Sequence, residues 1–231
     1  MKKFYSLFYF LKSKVIHSYH YRFKKTSLQK TLISSSQKNW LDLGASVTRA
    51  SGFDYADIFP VEELPDELQG NYFRWNVSEP DLANKNDKIY DFIRLQHVFE
   101  HLRYEEGQIA LRNLFDRLSS GGIMLITVPD LKIYIKRYQR KCLDVDWSFK
   151  YWAEKNLPVN SPQSFYFSIF THSASNQSHK WCYDREGLGF AIQNALPEST
   201  FKFIKWYHKE ASIPFTHNRP LEDLCVLIKK K

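Results

Sequence analysis

The chain has 231 residues, which is enough for one well-buried domain and short for two. Hydrophobic residues make up 43% of it and charged residues 25%, as in ordinary globular proteins. The three cysteines are scattered and form no CxxC pair, a pattern that favours reduced thiols over a disulfide framework. We therefore expect reduced thiols and a cytoplasmic location.

The formal net charge of +8 comes from the N-terminal part of the chain. Residues 1–41 hold nine lysines and arginines and no acidic residue, whereas the remainder carries 24 basic and 25 acidic residues. We divide the chain into a basic, aromatic-rich arm (residues 1–38) and a near-neutral domain (residues 39–231). The arm is interpreted first as a helix that packs on the domain, and second as a peripheral contact with the inner membrane surface through residues 1–30. Its apolar run at residues 4–11 is too short to span a bilayer and lacks a signal-peptide cleavage site.

Apolar segments of strand length alternate with a helical segment along the first half of the domain. Five strands are predicted, at residues 39–44, 52–58, 71–75, 89–95 and 123–128. Between the last two, residues 103–118 place leucines and a phenylalanine on one face of a helix, and Gly121 and Gly122 are interpreted as the stop that ends it. Strand–helix–strand alternation of this kind predicts right-handed crossovers and a parallel sheet.

The second half of the domain contains two further helices and the last two strands. The helices are predicted at residues 130–141, with Asp130 as N-cap, and at residues 184–196; the strands, at residues 201–207 and 222–229, are expected to form an antiparallel pair. Residues 142–178 lack periodicity and are rich in aromatic residues, so we interpret them as an inserted cap. The fold class is α/β: a Rossmann-like, mostly parallel seven-stranded sheet with flanking helices and an antiparallel last strand.

A ligand site is expected beyond the carboxyl ends of the strands, where the strand order of such a sheet reverses. Gly44 ends the first strand in the sequence LDLGAS and permits a close approach of the backbone to a ligand. Asp57 ends the second strand, where a carboxylate can accept two hydrogen bonds from a ribose. Asn76 follows the third strand and can bond an adenine edge.

Several segments of the chain resemble a known family. LDLGAS, GFDYADIF, LQHVFEHL, LSSGGIMLITVPDL and HKWCYD follow one another as in predicted class I S-adenosylmethionine-dependent methyltransferases, in a branch associated with bacterial surface-polysaccharide gene clusters. The resemblance covers roughly residues 39–229, and HVFEHL followed by SSGGIMLITVPDL is its most specific part.

The resemblance implies S-adenosylmethionine as cofactor and a set of residues that bind it. Gly44 would lie against the methionine moiety, and Ala45 and Ser46 belong to the same cofactor-binding turn. Asp57 would bind the ribose, Asn76 would lie near the adenine, and Gln96 and His97 would lie beside the reactive end. It implies methyl transfer to a hydroxyl or amine of a glycan, nucleotide-sugar or other small acceptor. His97, at the carboxyl edge of the sheet, and His179, which precedes the helix after the cap, are candidate catalytic bases because of their positions. A structural loop histidine is an equally good interpretation of His179.

The chain departs from the family at Ser46, where a second glycine usually stands. A serine makes close approach of a ligand harder, which keeps open an alternative: a catalytically degenerate binding module that its basic arm recruits to a membrane or partner. A nucleic-acid substrate is disfavoured because LQHVFEHL stands where amino-methylating enzymes of bases carry an N/D-P-P-Y/F motif.

His97, Glu100 and His101 spell H-x-x-E-H, which also matches the zinc motif of inverted metallopeptidases. That motif requires a helix that presents both histidines and a third ligand elsewhere. Here it follows a buried strand at a strand-to-helix turn, where Glu100 suits the positive end of a helix dipole. We therefore predict no metal site.

Overall fold

The computed structural model describes residues 39–44, 52–66, 69–79, 87–139, 179–204 and 223–231. Within these ranges the strands are β1 (Trp40–Leu43), β2 (Phe53–Asp57), β3 (Tyr72–Arg74), β4 (Tyr90–Gln96), β5 (Leu118–Pro129), β6 (Thr200–Ile204) and β7 (Asp223–Lys229). The α-helices are α1 (Tyr104–Asp116), α2 (Leu131–Gln139) and α3 (Arg185–Ala195), and short 3₁₀ helices span Val61–Glu63 and Phe99–His101. No helix in these ranges has the length and apolarity needed to cross a membrane.

The seven strands form one sheet in the order β3-β2-β1-β4-β5-β7-β6. Strands β1 to β5 pair in parallel, and β7 runs antiparallel between β5 and β6. The chain builds outward from β1 to β3 and then returns to the other side of β1 with β4, so the strand order reverses between β1 and β4. The predicted Rossmann-like, mostly parallel seven-stranded sheet with an antiparallel last strand is confirmed.

Helices α1 and α3 cover one face of the sheet because each carries an apolar stripe at helical spacing. Leu111 and Leu114 of α1 and Leu188 and Ile192 of α3 are fully buried, and they join the same core cluster as Ile93 of β4. Burying side chains of this size contributes about 1.5–3 kcal/mol each before the entropy cost of ordering them. The 3.6-residue periodicity of the sequence therefore sets which face of each helix meets the sheet.

The opposite face of the sheet has an aromatic cluster and a buried ion pair. The ring of Trp40 lies 5.2 Å from that of Phe53 and 6.3 Å from that of Phe92. Asp42 of β1 lies opposite Arg94 of β4 in the parallel register, and its carboxylate accepts two hydrogen bonds from the guanidinium, the Nε bond being 2.8 Å long. Both side chains are buried, so the pair joins the two central strands away from water.

The region after α1 differs from the prediction. The helix ends at Asp116, and Gly121 and Gly122, interpreted from the sequence as its stop, lie inside β5. The amide of Gly121 donates to the carbonyl oxygen of Lys230, and the amide of Lys230 donates to the carbonyl oxygen of Gly122. These two bonds hold this end of β5 against the residue that follows β7. Gly121 has a φ of +77°, and a register shift in the β4–β5 pairing accommodates the turn within the strand.

The remaining helix predictions agree with the structure to within two residues. Asp130 accepts a hydrogen bond from the amide of Lys132 at the start of α2, and Asp184 accepts one from the amide of Gly187 at the start of α3. Carboxylates at these positions bind amides that have no partner within the helix. The predicted arm (residues 1–38) and cap (residues 142–178) lie outside the described residues.

Candidate functional site

The turn after β1 is built around Gly44. Its amide donates to the carbonyl oxygen of Ala56, 2.8 Å away on β2, and its φ is +69°. A Cβ atom at this position would lie 2.3 Å from Cγ2 of Val98, far closer than atoms can approach. Glycine is therefore required twice over, by the left-handed backbone and by the contact with the segment that follows β4. Ala45 and Ser46 lie outside the described residues.

Asp57 and Asn76 follow neighbouring strands at the same edge of the sheet. Asp57 is the last residue of β2, and its carboxylate accepts a hydrogen bond from the amide of Ile58 at 2.7 Å. The side-chain oxygen of Asn76 accepts from the amide and hydroxyl of Ser78, and its amide group donates to Glu79. Asp57 thus stands where a ribose-binding carboxylate is expected, whereas Asn76 bonds within its own loop and would have to exchange these partners to bind adenine.

His97 follows β4 directly, and Gln96, the half-buried last residue of that strand, pairs with Thr127 of β5. The backbone of His97 has a φ of +56°, a left-handed conformation that costs a residue with a Cβ atom about 1–2 kcal/mol. Its side chain compensates with two bonds to carboxylates. Nδ1 lies 3.0 Å from Oε1 of Glu100, and Nε2 lies 3.0 Å from Oδ2 of Asp223.

These two carboxylates decide the charge of His97. Burial by itself lowers the pKa of an imidazole, but the negative charge and hydrogen bond of Asp223, together with those of Glu100, outweigh burial and raise the pKa of His97 to about 9. The side chain is therefore an imidazolium at neutral pH, with both nitrogens bonded. This arrangement speaks against the role of general base that the sequence suggested for His97, since a base needs a free lone pair.

Glu100 is the buried centre of the site. Burial would raise the pKa of its carboxyl, but the hydrogen bond from His97 and the charges of His97, His179 and His101 together lower it. One oxygen, Oε1, bonds His97, while Oε2 is buried and has no hydrogen-bond partner among the residues that the structure describes. The sequence interpretation placed Glu100 at the start of a helix; it lies instead in a 3₁₀ turn, with its side chain inside the protein.

His179, the other candidate base, approaches Glu100 from a distant part of the chain. The amides of Lys180 and Trp181 donate to the carbonyl oxygen of Glu100, at 2.9 and 3.2 Å, and so fix the segment against the 3₁₀ turn. The rings of His179 and His101 meet edge to face with their centres 4.9 Å apart. Donor atoms of Glu100, His101 and His179 all lie within 4.8 Å of one another.

The structure thus gathers His97 and His179 around Glu100, and it connects this group to Gly44 through Val98. Sequence reasoning noted Glu100 and His101 in the H-x-x-E-H motif but missed Asp223. An aspartate at the start of the last strand carries no local signal. Its position beside His97 follows from β7 pairing antiparallel with β5, which brings the start of β7 to the edge where β4 ends.

Comparisons with known proteins agree with this fold. The plantazolicin methyltransferase BamL, solved with a triazolic desmethylPZN analogue and SAH, has a TM-score of 0.52 at 13% identity, covering 97% of this chain and 94% of its own. The plantazolicin methyltransferase BpumL, solved with SAH, has a TM-score of 0.50 at 12% identity, covering 98% and 85%. At these identities the likeness shows the fold alone. No curated protein matches the sequence.

A family model described as a methyltransferase domain matches residues 16–168, about two thirds of the chain. That span includes β1 to β5 and the residues that follow them at the carboxyl edge of the sheet, among them Gly44, Asp57 and His97. The class I methyltransferase resemblance seen in the sequence motifs is confirmed at the level of the superfamily. The chain belongs to the methyltransferase domain family.

Proposed function

We propose that the chain is an S-adenosylmethionine-dependent methyltransferase that acts on a hydroxyl or amine of a glycan, nucleotide sugar or other small acceptor. The observation that carries the proposal is the strand reversal between β1 and β4, with the left-handed Gly44 on one side and Asp57 on the neighbouring strand. Family membership and two neighbours of the same fold solved with SAH support the choice of cofactor.

The residues present fit this cofactor chemically. The Gly44 turn lets the backbone approach the ligand closely, and the Asp57 carboxylate at the end of β2 can accept hydrogen bonds from two ribose hydroxyls. When bound, S-adenosylmethionine supplies a methyl group made electrophilic by the sulfonium. The protein contributes alignment of the acceptor and exclusion of water at the carboxyl edge of the sheet.

The group that removes a proton from a hydroxyl acceptor is proposed to lie in the cluster of Glu100, His101 and His179. His97 is held as an imidazolium between Glu100 and Asp223, so we assign it the positioning of Glu100 in place of proton removal. His179 remains a candidate because its segment is fixed against the turn that follows β4.

The association with surface-polysaccharide synthesis, the cytoplasmic location and the membrane contact through residues 1–30 are parts of this proposal that rest on the sequence. The rival interpretation, a degenerate binding module, was motivated by Ser46, which lies outside the described residues. The family match and the glycine turn favour the enzyme.

Calorimetric titration with S-adenosylhomocysteine tests the cofactor assignment. We expect wild-type protein to bind one equivalent and Asp57→Asn to lose about 10- to 100-fold in affinity, the worth of hydrogen bonds to a charged group. Asp54→Asn is the matched control, because Asp54 lies on the same strand at its other end, bonded to Lys88 and Tyr90. No binding to wild-type protein at millimolar ligand, or equal losses in both variants, would reject the assignment.

The acceptor class requires a separate measurement. Incubation with S-adenosylmethionine and panels of nucleotide sugars, oligosaccharides and small amines, read by mass spectrometry, should give a product heavier by one CH₂ in at least one panel. Methylation confined to oligonucleotides would contradict the proposed acceptor class and leave the cofactor assignment intact.

A further inference from the structure

Glu100, His101 and His179 form a compact group of metal-ligand types beside the carboxyl end of β4. One donor atom from each lies within 4.8 Å of the other two. Glu100 and His101 belong to the same 3₁₀ turn, and two backbone hydrogen bonds to the carbonyl oxygen of Glu100 fix the segment that carries His179. The backbone therefore holds the three side chains together.

The second observation is the state of the Glu100 carboxylate. The residue is 2% exposed, its Oε1 is bonded to His97, and its Oε2 is buried with no hydrogen-bond partner within the described part of the chain. A buried carboxylate oxygen that is left unbonded is costly, and such atoms are rare in folded proteins. The unpartnered oxygen points to a ligand that the side chains in the described ranges do not supply.

We propose that Glu100, His101 and His179 bind a divalent first-row transition-metal ion. Two imidazoles with one carboxylate suit zinc and its neighbours, whereas magnesium and calcium prefer oxygen ligands throughout. Metal–ligand distances of about 2.0–2.2 Å place two opposed ligand atoms about 4.2 Å apart, so short side-chain rotations bring the three donors onto one ion. The absence of a metal site predicted from the sequence is thereby revised, because the third ligand comes from residue 179.

His97 and Asp223 support this site without touching the ion. His97 bonds one oxygen of Glu100 and so leaves the other for the metal, while Asp223 holds the far side of the imidazole. Supporting bonds of this kind orient a ligand, and their loss typically weakens metal binding by about 10- to 100-fold. His97 is therefore a positioning residue of the site.

The consequence for catalysis rests on the proposed function. Three protein ligands leave at least one coordination position open to water or substrate. An acceptor hydroxyl bound there would have its pKa lowered by the ion and would release its proton to solvent water. In this arrangement His179 promotes deprotonation through the ion, and the favoured acceptor is an oxygen nucleophile.

The test begins with full-length protein stripped by a chelator and titrated with Co²⁺, Mn²⁺ and Zn²⁺ in the absence of cofactor. We expect one equivalent to bind, with a visible Co²⁺ absorption band and nitrogen couplings in pulsed EPR spectra of the Mn²⁺ form. The EPR experiment uses wild-type protein, so it does not depend on whether any variant folds. No stoichiometric binding, or a bound ion with no nitrogen ligand, would overturn the proposal.

Variants locate the site. His179→Gln and His101→Gln should each weaken binding at least about tenfold. Glu105→Gln is the matched control, because Glu105 is an exposed carboxylate on the adjacent first turn of α1, and it should leave binding unchanged. Equal affinity of His179→Gln and wild-type protein would refute the ligand assignment.

The cofactor assignment and the metal site can be rejected independently of each other. Binding of S-adenosylhomocysteine in the presence of chelator tests the cofactor assignment alone, and ion binding without any cofactor tests the metal site alone. Retention of S-adenosylhomocysteine binding by His179→Gln would show in addition that the variant is folded.

Discussion

His97 Nε2 lies 3.0 Å from Oδ2 of Asp223, which joins the residue directly after β4 to the first residue of β7. Strand β5 lies between these two strands, so the ion pair spans its end and ties three strands together at the edge where ligands bind. The Asp223 side chain is fully buried. An ion pair in this position makes the stability of this edge of the sheet depend on the protonation of His97.

The stability of the metal-free protein should therefore depend on His97 in a defined pH range. Its pKa is raised from 6.5 in an unperturbed imidazole to about 9, so the folded state binds a proton that the unfolded state has released. The stabilisation is fully present below pH 6.5 and is lost as the pH rises towards 9. Urea unfolding in chelator across this range should show the free energy of unfolding falling with pH.

His97→Gln supplies the comparison for this measurement. Glutamine retains hydrogen-bonding groups but does not titrate, so the pH slope between 6.5 and 9 should be smaller in the variant than in wild-type protein. The variant should also be less stable at neutral pH, because two buried carboxylates lose the positive charge of His97. Identical slopes in the two proteins would mean that His97 is not held as an imidazolium.

The buried pair of Asp42 and Arg94 predicts strong energetic coupling. Arg94→Met and Asp42→Leu each remove one member of this buried ion pair and should lower the free energy of unfolding by about 3–5 kcal/mol. The double variant removes both charges. Its loss of unfolding free energy should be smaller than the sum of the losses in the two single variants. Urea denaturation of all four proteins completes the cycle.

An exposed ion pair in the same protein provides the contrast. Lys88 bonds Asp54 at 2.7 Å, but its side chain is 42% exposed, so water screens the attraction. Asp54→Asn should cost about 1 kcal/mol or less. If the cycle at Asp42 and Arg94 were additive, the two residues would be acting independently despite their contact.

The sheet could be predicted from the sequence because its signals are local. The apolar run of β4, the leucine spacing of α1 and the aspartate that caps α2 each specify an element within a dozen residues. The prediction that Gly121 and Gly122 end α1 is wrong because a Gly-Gly pair is equally compatible with a turn inside a strand. What it does there is set by pairing with Lys230, more than a hundred residues later.

The site was predictable only where it follows from the order of the strands. Gly44 and Asp57 end adjacent parallel strands, so their common edge follows from the topology. The environment of His97 cannot be predicted in this way, because the charge of its side chain depends on Asp223, which lies 126 residues away in the sequence. The sequence around His97 shows neither Asp223 nor the fold of Glu100 back onto the ring. It therefore suggests a catalytic base where the structure has a protonated imidazole.

Gly44 and Gly52 allow the contact with Val98 to be measured separately from backbone strain. Both have positive φ, so alanine at either position should cost about 1–2 kcal/mol in the free energy of unfolding. A Cβ at Gly52 meets nothing within 4 Å, whereas one at Gly44 collides with Val98. Gly44→Ala should therefore cost about 1–3 kcal/mol more, as overpacking does.

A second substitution tests that cause. Val98→Ala removes the methyl group that the new Cβ would strike, so adding it to Gly44→Ala should recover part of the excess cost while the backbone strain remains. Equal losses in Gly44→Ala and Gly52→Ala would show that the turn after β1 does not press against the segment after β4.

Cys182 should be a slow thiol for an electrostatic reason. Burial, and secondarily the negative charge of Glu100, raise its pKa from 9.0 to about 11, which lowers the thiolate fraction near neutral pH by roughly 100-fold. A more basic thiolate is also a better nucleophile, so the net rate with an aromatic disulfide at about pH 8 should fall roughly tenfold relative to the unfolded chain. Mass spectrometry of the modified peptides distinguishes Cys182 from the other cysteines.

Glu100→Gln should speed the reaction by removing the nearby charge, and Glu105→Gln should not. A thiol that reacts equally fast in the folded and unfolded chain would contradict this placement of Cys182 beside Glu100.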